Sequence, residues 1–192
     1  MKVGVLALQG DFREHIKAAA DCGHTAIEVR RASELAEVDC LILPGGESTS
    51  IIHLAQSFDL FQPIKEVISN GLPVYGSCAG MILLADRIVG GIEGQKTFGG
   101  LDITVRRNAF GRQVDSFESD IDTRVGQFHG VFIRAPRIER VGAGVEVLGQ
   151  LGEEPVLVQQ GNVMAASFHP ELSHDVRLHE YFISLMPTAG KV

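Results

Sequence analysis

Cys78 sits in the pentapeptide Gly76-Ser77-Cys78-Ala79-Gly80, between the apolar runs Leu72-Pro73-Val74-Tyr75 and Met81-Ile82-Leu83-Leu84-Ala85. This pattern predicts a buried strand that turns tightly into a helix, with a thiol at the apex. Glycines on either side tolerate backbone angles closed to other residues and let strand and helix approach closely. A thiol at a helix N-terminus faces free backbone N–H groups and the positive end of the helix dipole, which favour a thiolate nucleophile. The competing reading is a structural cysteine beside two packing glycines. A nucleophilic cysteine needs a base and a group that orients the base. Of the seven histidines, His15, His53, His174 and His179 fall among polar residues on predicted helices and read as solvated. His24 sits in a turn, and His129 is a lesser candidate before the strand Gly130–Arg134. His169 follows the strand Val163–Phe168 and leads into Pro170 and Glu171. Proline fixes its own φ and restricts the residue before it. A rigid His-Pro-Glu corner can therefore present imidazole and carboxylate to one site, with Glu171 fixing the tautomer of His169.

Acyl transfer also needs donors for an oxyanion. Gly45 and Gly46 end an apolar run and can offer backbone N–H groups, and the N–H of Ala79 follows the nucleophile as in other elbows. Pro44-Gly45-Gly46 is equally a strand-to-helix turn, and Glu47-Ser48 can be a plain helix start, since Ser is a good N-cap.

These side chains need elements to hold them. The 192 residues suffice for one domain over 1–192 with a substantial core. The net charge of −7 argues against nucleic-acid and membrane-surface binding. Three cysteines without paired spacing argue against a disulfide framework and for a reducing, cytoplasmic setting. No apolar run reaches membrane-spanning length. Strands are predicted over Lys2–Leu8, Thr25–Val29, Cys40–Leu43 and Leu72–Tyr75, and helices over Asp11–Asp21, Ser48–Phe58, Pro63–Ser69 and Ala79–Ile88. Apolar strands alternating with helices imply a mostly parallel central sheet covered on both faces, an α/β three-layer sandwich. Beyond the Gly-rich loop Gly90–Gly100, Leu101–Val105, Gly130–Arg134, Val145–Leu151, Pro155–Gln160 and Asn162–Ser167 read as an antiparallel extension of that sheet. His174–Met186 reads as a closing helix. Gln9-Gly10, Pro44–Ser48 and Cys78 all follow predicted strands, and ligands of open α/β sheets bind beyond such carboxyl ends.

In order and separation, Pro44-Gly45-Gly46, the Cys78 elbow and His169-Pro170-Glu171 resemble the class I (triad) glutamine amidotransferases. Further blocks are similar to one family within them, the glutaminase subunits of pyridoxal 5′-phosphate synthase. These are Leu8-Gln9-Gly10, Glu14-His15, Leu43–Thr49, Arg107-Asn108, 110–118, Gly130–Pro136 and Ser167–Leu172. The resemblance covers essentially the whole chain, and the blocks at 110–118 and Gly130–Pro136 are its most specific parts. It implies a glutaminase that passes ammonia from L-glutamine to a separate barrel-shaped synthase subunit, whose docking organises the oxyanion site. Carried over by position, it makes Cys78 the nucleophile, His169 the base and acid, and Glu171 the orienter. It puts Gly46, Glu47, Ser48, Arg107, Ile133 and Arg134 at the substrate, and Gln9 near the oxyanion donors Gly46 and Ala79. Either Arg107 or Arg134 would meet the substrate carboxylate. No metal and no cofactor is expected. The chain departs from the family at Asp11-Phe12, at Ser77 and in a longer Gly90–Gly100 loop. None of these is expected to touch the triad, and the first falls on the expected docking face. The alternatives are a glutaminase for another amidotransferase, a free γ-glutamyl hydrolase, or a non-catalytic regulatory subunit.

Overall fold

The computed structural model describes residues 1–107 and 116–186. Residue Asn108 and most of the 110–118 block that carries part of the resemblance lie outside them. The chain opens with β1 (Lys2–Leu6), α1 (Phe12–Asp21), β2 (Thr25–Val29), α2 (Ala32–Leu35), β3 (Cys40–Leu43), α3 (Ser48–Ser57), α4 (Phe61–Ser69), β4 (Val74–Ser77) and α5 (Ala79–Leu84). It continues through β5 (Ala85–Val89), β6 (Leu101–Arg106), β7 (Ser116–Thr123), β8 (Gly126–Ile133), β9 (Arg137–Val141), β10 (Glu146–Leu151), β11 (Glu154–Gln160) and β12 (Val163–Ala166). A 3-10 turn, Pro170–Leu172, and α6 (Arg177–Ser184) follow.

A nine-stranded sheet has the order β2-β1-β3-β4-β12-β11-β10-β7-β8. The strands from β2 to β12 run parallel, and β11, β10, β7 and β8 continue the sheet antiparallel. The parallel strands are apolar on both sides, so alternate residues feed two cores. Leu41, Leu43, Val74 and Ala165 join the helices α3, α4 and α5 on one face. Cys40, Ile42, Tyr75 and Met164 join α1 and α6 on the other. The expected three-layer α/β architecture with an antiparallel extension is thereby present.

Some elements differ from the sequence reading. The helix expected over Ala79–Ile88 stops at Leu84, and Ala85 turns extended, with ψ 138°. The residues that follow, Ala85–Val89, pair with β6. Leu101–Val105 consequently belongs to a separate sheet, β5-β6-β9, rather than to the main one. The strand expected over Asn162–Ser167 lies inside the parallel half, between β4 and β11, because the chain recrosses the sheet before β12. The closing helix begins at Arg177 rather than His174, which adopts a positive φ of 58°. The acidic alternation of β7 and the charged alternation of β9 hid both strands, since only one face of each is apolar and packed.

The elbow packs without slack. A Cβ on Gly80 would stand 2.2 Å from the Leu43 carbonyl oxygen, and one on Gly76 would stand 2.5 Å from the Gly80 backbone. Both obstacles are main chain and cannot swing aside. Gly80→Ala is therefore expected to lose more than about 2 kcal/mol of stability in urea unfolding. A midpoint equal to that of the parent chain would show that β3 and α5 can separate at little cost.

Candidate active site

Three strand ends and one returning strand assemble the site. The parallel pairing of β4 with β12 runs from Val74–Val163 to Ser77–Ala166, and the Cys78 N–H continues it to the Ala166 carbonyl at 2.8 Å. Cys78 and His169 leave adjacent strands at the same end. Next to them β3 ends at Leu43 and β1 at Leu6, which delivers Gly45-Gly46 and Gln9-Gly10 to the same edge. The antiparallel half curls back: the His169 N–H donates to the Val131 carbonyl of β8 at 2.8 Å. Rings of Phe128 and Phe132 close around Phe168, with centroids 5.8 and 5.5 Å away. This return brings Ile133 and Arg134 to the nucleophile.

Cys78 has φ 49° and ψ −103°, a conformation that side chains normally avoid. Such strain costs about 1–3 kcal/mol and persists only where the surroundings impose it. Its thiol points to the Ile133 carbonyl at 3.7 Å. His169 is 4% exposed, and its Nδ1 lies 2.7 Å from Oε1 of Glu171, whose side chain is fully buried. Burial opposes charge on His169, yet the Cys78 sulfur and the Glu171 carboxylate outweigh it and push its pKa up to about 10. Burial raises the pKa of Glu171, and hydrogen bonding and attraction from His169 pull against that rise. The arrangement suits an imidazolium held beside the Cys78 sulfur and oriented by a carboxylate.

The other two cysteines do not line the cavity over Cys78. All three are free. Burial pushes Cys22 up to about 11 and Cys40 up to about 12, so both remain neutral thiols at ordinary pH.

A cavity of about 330 Å³ opens over Cys78, lined by Gln9, Gly46, Glu47, Ser48, Ala79, Arg107, Ile133, Arg134 and His169, with Asp11 at its edge. Every pocket residue expected from the sequence therefore lines one cavity, and Glu171 stands behind His169. Glu47 caps α3 by accepting from the Thr49 and Ser50 backbone N–H groups at 3.2 and 2.7 Å, and it also pairs with Arg107 at 2.8 Å. Burial alone would raise its pKa, but hydrogen bonds from the Thr49 hydroxyl, the Ser50 and Thr49 backbone N–H groups and the Ser50 hydroxyl hold it down at about 2. The Gln9 side chain accepts from the Glu47 N–H at 2.7 Å. The Asp11 N–H donates to the Gly45 carbonyl at 3.1 Å, which fixes the peptide that carries the Gly46 N–H. Arg107 is committed to Glu47 and Gln95, whereas Arg134 is exposed. Asp11, His169 and Glu171 bring ligand atoms within 4.8 Å of one another, a spacing compatible with a cation. A proton on His169 Nδ1, donated to Glu171, removes the lone pair that such a cation would need.

The sequence reading needs two corrections here. His15 and His179 are not solvated; each is 0% exposed. His15 Nε2 lies 2.9 Å from Ser77 Oγ and 3.4 Å from Glu171 Oε2. The missed signal was helix-face spacing: His15 shares a face with Ala18 and Ala19, and His179 with Phe182 and Ile183. The departures from the family pattern also reach the site. Asp11 Oδ2 stands 3.7 Å from His169 Nδ1, and Ser77 bonds His15. Gln95, from the Gly90–Gly100 loop, bonds both Ser48 Oγ, at 3.0 Å, and Arg107, at 2.6 Å. Sequence reasoning missed Gln95 altogether, because nothing in a Gly-rich loop marks which polar residue folds inward.

The chain is similar to known proteins along nearly its whole length. The family model described as "SNO glutamine amidotransferase family" matches residues 5–187. A Parafrankia sp. (strain EAN1pec) protein named pyridoxal 5′-phosphate synthase subunit PdxT is 56% identical, over 96% of this chain and 93% of its own length. The protein of that name from Frankia alni is 54% identical, over 98% of this chain and 96% of its own. A solved structure entitled "Crystal structure of glutamine amidotransferase" superposes with a TM-score of 0.91 at 53% identity, covering 96% of this chain and 98% of that one.

Two measurements test the site. Cys78→Gly should unfold at higher urea than Cys78→Ala, by about 1 kcal/mol, because glycine accepts the positive φ. Equal midpoints would mean an unstrained elbow. The His169 imidazolium, followed by NMR, should persist far above the ordinary histidine midpoint of about 6.5. The raising partners are the sulfur and the carboxylate, so Cys78→Ala and Glu171→Gln should each lower that midpoint. A midpoint that ignores both substitutions would break the triad.

Proposed function

Because the chain belongs to the SNO glutamine amidotransferase family, we propose that it hydrolyses L-glutamine to L-glutamate and ammonia as the glutaminase subunit of a pyridoxal 5′-phosphate synthase. The observation that carries this reading is the convergence of Cys78 and His169 at one cavity, with Glu171 bonded to His169 from behind. Near-full-length identity to proteins named as PdxT subunits of that synthase supports the partner.

The Cys78 sulfur attacks the side-chain amide carbon of glutamine. The carbonyl oxygen becomes an oxyanion, and the N–H groups of Gly46 and Ala79 are its donors, with Gln9 fixing the adjacent loop. His169 protonates the amide nitrogen, the C–N bond breaks, and ammonia leaves a γ-glutamyl thioester. His169 then takes a proton from water, the hydroxide adds to the thioester, and the C–S bond breaks to release glutamate. Glu171 orients His169 throughout. Glu47 and Ser48 shape the amino-acid end of the cavity with Ile133. Arg134 is the cation left to meet the substrate carboxylate, since Arg107 is committed to Glu47 and Gln95.

Ammonia loose in neutral water becomes mostly ammonium, which is no nucleophile, so direct transfer to a docked synthase barrel subunit matters to the reaction. Residues 1–192 act as one glutaminase domain in this reading. Among the described residues no helix is long and apolar enough to cross a membrane. The reactive free thiol suits a reducing cytoplasm.

The test is glutamate release from L-glutamine with and without the synthase barrel subunit. Release should rise sharply with the partner and fall at least about a hundredfold in Cys78→Ala. Full activity that ignores the partner would instead indicate a free-standing hydrolase or another amidotransferase.

A further inference from the structure

Behind the triad, two histidines are sealed in the core with no task in the reaction as written. His15 from α1 and His179 from α6 are each 0% exposed. His15 Nδ1 lies 2.9 Å from His179 Nε2. On its other side, His15 Nε2 faces Ser77 Oγ at 2.9 Å and the second carboxylate oxygen of Glu171, Oε2, at 3.4 Å. That oxygen and His179 Nδ1 are buried with no hydrogen-bond partner among the described residues. Burial lowers the pKa of His15 well below the ordinary value and that of His179 to about 4, so both rings are neutral.

Each neutral imidazole has one N–H and one lone pair. A proton on His15 Nδ1 would be donated to His179 Nε2 and would force the proton of His179 onto Nδ1, a buried donor without an acceptor. The bare His15 Nε2 would then accept from the Ser77 hydroxyl but turn a lone pair toward the Glu171 oxygen 3.4 Å away, which would stay without a donor. Protons on Nε2 of both rings avoid both faults. His179 Nε2–H then donates to His15 Nδ1, and His15 Nε2–H points between Ser77 Oγ and Glu171 Oε2. The orphan left on His179 is a lone pair, which costs less than an unpaired N–H.

We propose that His15 and His179 are positioning residues, a pair of neutral imidazoles protonated on Nε2 that steadies the second oxygen of the Glu171 carboxylate while the first holds His169. Neither touches substrate. The 3.4 Å approach is electrostatic in the free chain, and such contacts shorten as a catalytic complex forms. A donor aimed at Oε2 favours the anionic carboxylate and so sustains the imidazolium at His169. The other titratable groups around Glu171 act differently. Asp11, on the loop after β1, disfavours its charge, and Tyr75 from β4 is pushed up by burial first and by Glu171 second.

The inference rests on the triad reading, and its test separates the two. Long-range nitrogen–proton NMR on the full chain with 15N-labelled histidine should find both rings protonated on Nε2. In His15→Leu, the His169 midpoint should fall by about one pH unit, and kcat with the synthase subunit about tenfold at unchanged KM. His15→Gln, whose amide N–H reaches the same oxygen, should recover most of both. A proton found on His15 Nδ1, or a His169 midpoint equal in His15→Leu and the parent, overturns the proposal. If His15→Leu does not fold, the tautomers of the parent chain decide alone. A parent chain that releases no glutamate with the synthase defeats the glutaminase reading and leaves the tautomer result standing.

Discussion

The site depends on one parallel strand pairing. β4 and β12 lie side by side through Ala166 and Ser77, and the ladder extends by one more bond, from the Cys78 N–H to the Ala166 carbonyl. Without that register, nucleophile and base would leave the sheet at different heights. Parallel pairing requires a crossover, here the whole stretch from α5 to β11. The three-stranded sheet and the antiparallel extension can thus be read as the long connection that returns the chain beside β4.

That connection also builds one wall of the site. The sheet ends far from β4 in strand order, yet β8 curls back to accept a hydrogen bond from the His169 backbone. Register shifts in β10 between Val147 and Gln150 are the kind of irregularity that bends a sheet. Packing of Phe128 and Phe132 against Phe168, with centroids 5.8 and 5.5 Å apart, secures the curl. The catalytic wall built from β4 and β12 and the specificity wall built from Ile133 and Arg134 are therefore joined twice, through the strand ladder that runs from β12 to β8 and through the packing and the His169–Val131 bond that close the curl.

Much of this was legible in the sequence where local chemistry decides the outcome. The elbow glycines, the His-Pro-Glu corner and the strand ends carrying Gln9 and Gly46 need only nearby residues to be understood. The parallel half was legible because strands buried on both faces are apolar throughout. The antiparallel half was less so, since β7 alternates Phe117 and Ile121 with acidic and polar residues and reads as surface. Buried histidines escaped because polar neighbours in sequence are not neighbours in space. Around His15, Glu14 and Lys17 point outward while the ring faces Ser77. Gln95 escaped for a different reason: a glycine-rich loop leaves no periodicity from which to infer a facing direction.

The positive φ of Cys78 sets selection for persistence against selection for chemistry at a single codon. A lineage that no longer needs the nucleophile relieves backbone strain by drifting toward glycine there, and its protein becomes easier to fold as it becomes inert. Loss of the thiol is then a downhill step in stability, whereas its recovery is uphill. A cysteine retained at such a position is consequently a sign of continued use. Decay of the enzyme would start at the elbow, not in the core, where Leu41, Leu43 and Met164 serve the fold whether or not the site works.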